Sequence, residues 1–225
     1  MVDTTKALAD YADAILSGRR AKNWLFLLLL IVLLGELALF FVARNTDFLA
    51  ATTAATTRPA SPLGRETIKY FIALCGFGGM ITSVLLSIVL LALTLIMLTV
   101  RTLGVGKLTS AFIWSALLAV LMFPWQAILA GPTISTGVDP IAADIKIPGV
   151  VYTWSEFNHS TLGARFGMTK GESLSTEATV LRWARFVGCP VVALMILLAI
   201  QVKSGKGVRA ALGEDQPAID PAAGA

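Results

Sequence analysis

The chain has 225 residues, 56% of them hydrophobic and only 14% charged, a balance that a water-soluble domain of this length does not sustain, so lipid is the expected solvent for much of it. Its formal net charge of +4 comes from bases beside apolar runs and not from one aromatic-interleaved patch, which argues against nucleic acid and for membrane-orientation signals. Cys75 and Cys189 lie inside apolar segments and the one histidine, His159, lies in a loop; with no C-x-x-C pair and no His cluster, no cofactor, metal, haem or iron-sulfur centre is expected.

Residues 1–23 read as a cytoplasmic amphipathic segment. Asp3-Thr4-Thr5 offers a cap, Leu8, Tyr11, Ala12, Ile15 and Leu16 share a face opposite Asp10 and Asp13, and Gly18 is expected to end the helix. Such a helix lies on the cytoplasmic leaflet or docks onto a partner protein. Residues 24–43 then form the first span. Arg19, Arg20 and Lys22 precede it as they would a signal peptide, but the apolar run exceeds the usual signal core, so a retained anchor is expected.

A bilayer core of about 30 Å needs about 20 apolar residues in a helix, and three further stretches meet that length: residues 68–100, 109–131 and 184–202. Residues 44–67, with repeated Ala and Thr and then Pro59 and Pro62, read as a loose external tether. The second span is long enough to tilt, to extend past the bilayer or to break near Gly76-Phe77-Gly78-Gly79. Residues 101–108 form a short basic cytoplasmic loop whose Gly-Lys pair lacks the P-loop spacing. Residues 132–183 form an external cap segment, with a possible strand at Val150-Val151-Tyr152-Thr153-Trp154 and a helix starting at Ser175. Residues 203–225 read as a disordered cytoplasmic tail. Pro124 and Pro190 predict kinks inside the third and fourth spans.

The fold class expected is an all-α integral membrane protein: a four-helix transmembrane bundle with a small, partly ordered extracytoplasmic cap. Bases at Arg19, Arg20, Lys22, Arg101, Lys107, Lys203, Lys206 and Arg209 put both termini in the cytoplasm, with the chain in the cell membrane, or the inner membrane if the host is bacterial.

Glu36 is the one ionisable side chain well inside a span, and such a group wants a partner or a proton. Glu36, Gln126, Cys75 and Cys189 fall at similar depths counted from the external ends, which suggests an intramembrane polar layer. It either pins the packing or serves a proton- or substrate-linked role. Cys75 and Cys189 read as packing thiols, with a disulfide as the alternative. A helix-packing seam is expected from small residues at a spacing of four: Gly79, Ser83 and Ser87 following Cys75 in the second span, Ser115 and Ala119 in the third, and Gly188 in the fourth. His159 has Glu156 and Ser160 nearby in the chain, but neighbours in sequence do not make a triad.

Three functions compete. A non-enzymatic subunit or scaffold of a membrane complex, bound to a membrane protein partner or to further copies of itself, needs the fewest special residues. A small transporter or channel component would use Glu36 and Gln126. An intramembrane enzyme has least support, because no paired acids or activated nucleophile are present.

Overall fold

A computed structural model describes residues 4–45, 62–125, 149–152, 180 and 183–214, with side chains in the first two ranges at 9–42 and 66–125. Among the described residues four long helices follow one another: α1 (Thr4–Asn45), α2 (Pro62–Val100), α3 (Val105–Leu121) and α4 (Cys189–Ala211), the last entered through a π-helical turn at Ala184–Gly188. No strand occurs among the described residues. Among the described residues three helices are long and apolar enough to cross a membrane, over Ala9–Val42, Glu66–Val100 and Ala184–Ala211; the apolar helix Val105–Leu121 is shorter.

Several boundaries differ from the sequence expectation, each for a local reason. Helix α1 runs straight through Gly18. A helix tolerates one glycine at a cost of about 1 kcal/mol, and Gly18 is needed for contact: a Cβ there would stand 2.5 Å from the Leu93 side chain. Helix α2 is equally continuous through Gly76-Phe77-Gly78-Gly79. Helix α3 begins at Val105 and stops at Leu121, so Pro124 follows the helix and does not kink it. Residues 126–131 of the expected third span lie outside the described residues, as do the Ala/Thr-rich loop from 46 to 61 and most of the expected cap.

Two helix ends carry the same hydrogen-bond signature. At the end of α2, Arg101 N–H donates to Leu98 O at 3.2 Å and Thr102 N–H to Met97 O at 3.1 Å, with Arg101 at φ 55°. At the end of α4, Gly213 N–H donates to Ala210 O at 3.3 Å and Glu214 N–H to Arg209 O at 3.0 Å, with Gly213 at φ 73°. Both are Schellman caps, in which a left-handed residue turns the chain and satisfies the last carbonyls. The tail expected to be disordered from Lys203 is therefore helical to Ala211.

The chain forms two compact units. The first comprises Met1–Leu27, Ser83–Leu118 and Ile196–Ala225, the second Leu28–Thr82 and Ala119–Met195. In the first, Ile15, the α2 stripe Leu86, Leu90, Leu93 and Met97, and Leu108, Leu118, Leu197, Ile200 and Val208 are buried. The α2 positions recur every three or four residues, the spacing that keeps side chains on one helix face. Gly104, at φ 95°, lets its turn meet α4, where a Cβ on it would stand 2.6 Å from Gly207 O.

In the second unit, Leu29, Leu33 and Phe40 of α1, Ile72 and Cys75 of α2, Met122, the segment Val150 to Tyr152, and Phe186 are buried. Phe40, Ile72, Tyr152 and Phe186 form one cluster, with Phe40 stacked on Phe186 at 5.4 Å and Tyr152 edge-on to Phe186 at 5.2 Å. Many large apolar side chains, among them Leu74, Leu98 and Met195, remain exposed. Lipid is the solvent that suits them.

Candidate functional site around Glu36

Glu36 occupies the inward stripe of α1 between Leu33 and Phe40, positions set by the helical repeat. Its side chain is 3% exposed, and Oε2 has no hydrogen-bond partner among the described residues. Buried polar atoms are nearly always paired, and an unpaired one costs about 1–3 kcal/mol. The Tyr152 hydroxyl donates to the Glu36 backbone carbonyl at 3.2 Å, tying the segment at 149–152 to α1.

That segment is held from three sides. Arg185 Nη1 donates to Gly149 O and Arg185 Nη2 to Val151 O, the latter at 3.0 Å. Val150 N–H donates to Leu121 O at 3.0 Å, satisfying one of the carbonyls left open at the end of α3. The Val151 side chain rests on Gly76, where a Cβ would stand 2.8 Å from Val151 Cγ1. Among residues 149–152 the extended pairing expected of a strand is absent; guanidinium and helix-end contacts satisfy the backbone instead. Thr153 and Trp154 lie outside the described residues.

Of the four residues expected in the polar layer, the structure brings Glu36 and Cys75 within electrostatic reach of each other, and the Arg185 charge also acts on Glu36. Gln126 lies outside the described residues. Cys75 is buried, Cys189 is half-buried, and both are free thiols. The seam residues divide. Gly79 faces Met122 and Val32, close enough that a Cβ would lie 3.2 Å from Val32 Cγ1. Ser83 and Ser115 are fully buried, Ser87 Oγ bonds Ser83 O at 3.0 Å and Ser115 Oγ bonds Phe112 O at 2.7 Å. Ala119 is half-buried, and among the described residues a Cβ on Gly188 would meet only its own turn, with Trp183 O at 3.8 Å and Ala184 Cβ at 4.0 Å.

Arg185 and Tyr152 were not expected at this site. Arg185 reads in sequence as one more flanking base beside Arg182, and nothing in the sequence separates the two. Among the described residues no group of acids, cysteines and histidines is placed to hold a metal.

A second polar group lies in the first unit and was also unforeseen. Lys22 Nζ donates to Ser204 Oγ at 3.0 Å, Gln201 Nε2 to Asn23 Oδ1 at 3.2 Å, and Lys203 Nζ to Ser110 Oγ at 2.8 Å while lying 5.7 Å over the Trp114 ring. Arg19 forms a 3.2 Å ion pair with Glu214. Compared with known proteins, the chain matches no family model, no curated protein and no solved structure.

Proposed function

We propose that the chain is a multi-pass membrane protein whose four helices cross the bilayer with both termini cytoplasmic, and that it serves as a non-enzymatic subunit or scaffold of a membrane complex. The observation that carries this reading is the sealed state of Glu36, 3% exposed beside the aromatic cluster and beneath a segment clamped by Arg185. A conduit needs water at its ionisable groups, whereas a packed acid serves to fix helix positions. Outward apolar faces on α1, α2 and α4 are then free for lipid, a membrane protein partner or a further copy. Purification of the full chain in mild detergent tests this: a partner or a defined oligomer is expected to co-elute, and a lone monomer would overturn the proposal.

One observation favours a second reading, a small transporter or channel component. Glu36 Oε2 is an acceptor without a partner among the described residues, and intramembrane acids often serve ion or proton paths. In proteoliposomes this reading expects a cation or proton flux that Glu36→Gln abolishes; no flux from the wild-type chain rules it out.

A further inference from the structure

Lys22 is 2% exposed, an unusual place for an ammonium group. Buried charges are paired with opposite charge or become costly. Its one hydrogen bond runs to a neutral hydroxyl, Ser204 Oγ. The charge that acts on it electrostatically is another cation, Arg19. Glu214, the acid brought to this region by the α4 cap, is taken by Arg19. Among the described residues no carboxylate bonds Lys22. An ammonium has three donors, and one is engaged.

One turn from Ser204 on α4 lies a second unmet group. Gln201 Nε2 is engaged by Asn23, and Gln201 Oε1 is buried with no partner among the described residues. The same small region thus holds an uncompensated cation and an orphan acceptor. It lies where the apolar run beginning at Trp24 starts and the one ending at Val202 stops, the depth at which phosphates and interfacial tryptophans meet a helix bundle. Asn23 and Trp24, next after Lys22, are exposed.

We propose that Lys22 and Gln201 form a binding site for a phosphate ester that carries a hydroxyl donor, the chemistry of a phosphoglycerol head group. The phosphate supplies the counter-charge to Lys22, while Lys203 is turned away to Ser110 and Trp114. A glycerol hydroxyl donates to Gln201 Oε1. The site stands independently of any protein partner.

The test is thermal unfolding of the full chain in neutral detergent, titrated with phosphatidylglycerol, phosphatidic acid, phosphatidylcholine or soluble glycerol phosphate at constant ionic strength. Phosphatidylglycerol is expected to raise Tm with concentration, as any ligand of the folded state does, and to bind more tightly than phosphatidic acid, which lacks the hydroxyls. Lys22→Met is expected to weaken it by about tenfold or more, the size of one charge-assisted hydrogen bond. Lys69→Gln, an exposed base in the other unit, should bind as wild type. If soluble glycerol phosphate reproduces the shift, the ligand is a free metabolite; if the lipid alone does, it is a head group. Either result supports the site. No shift with any phosphoglycerol compound, or undiminished affinity in Lys22→Met, would overturn it. Equal affinity for phosphatidic acid would remove the role of Gln201. Should Lys22→Met fail to assemble, Gln201→Leu is the second variant, and an undiminished preference for phosphatidylglycerol over phosphatidic acid there would equally sink the proposal.

Discussion

The carbonyl of Gly207 stands 2.6 Å from the point where Gly104 would carry a Cβ, and Gly104 itself adopts φ 95°. Two demands thus meet at one residue, a backbone shape that L side chains avoid and a close approach of α4 to the turn between α2 and α3. Gly104→Ala should therefore destabilise the chain by about 1–3 kcal/mol or more. A thermal scan in detergent checks this, and an unchanged midpoint would refute the close contact.

Arg101 makes the opposite case. It holds the left-handed position of the α2 cap at φ 55°, a place usually given to glycine. Replacing it with glycine should relieve about 1 kcal/mol of backbone strain and raise the unfolding midpoint. A fall in the midpoint would mean that its side chain contributes more than its backbone costs.

Neighbouring glycines in α2 should respond differently. Among the described residues nothing lies within 4 Å of a Cβ on Gly78, whereas one on Gly79 would press on Met122 and Val32. Gly78→Ala should stabilise by about 0.5–1 kcal/mol through helix propensity and a less free unfolded chain. Gly79→Val should destabilise by about 1–3 kcal/mol through overpacking. Equal responses from the two variants would contradict the packing described around α2.

For Arg185, the expected loss is local. Arg185→Gln removes the charged donors to Gly149 and Val151, each hydrogen bond to a charged group contributing about 1.5–3 kcal/mol. Amide exchange across residues 149–152 should accelerate before the rest of the second unit opens. Uniform protection in the variant would show that Val150 and Tyr152 hold the segment without the arginine.

Much of the helical frame was legible because runs of about 20 apolar residues can hardly be anything else, and the three long helices follow directly. The misreadings came from residues with two uses. Gly18 looks like a stop signal, yet it provides a notch for Leu93. Lys203-Ser204-Gly205-Lys206-Gly207 looks like a disordered tail by composition, yet Ile200, Ser204 and Val208 keep one helical face and are all buried. Composition hid what spacing would have revealed. The site was half legible: Glu36 was visible as an acid in an apolar run, but Arg185 and Tyr152 reach it from distant parts of the chain, and Lys22 looked like a topogenic base. No pattern local in sequence announces contacts of 116 or 182 residues' separation, such as Tyr152 to Glu36 or Lys22 to Ser204.

The π-turn at Ala184–Gly188 gives this region one residue of slack in its chain length. A π-turn holds one residue more than the α-turn it replaces, so deleting a single residue there would tend to restore regular helix. In that event the helix on either side of the deletion would keep its register, because the wider turn takes up its extra residue without advancing the helix. The change would fall within the turn, where Arg185 would lose its place at Gly149 and Val151, while the face of α4 beyond Cys189 stayed where it was. A deletion here is absorbed where it falls, and the extra residue serves to set which side chains the segment at 149–152 meets.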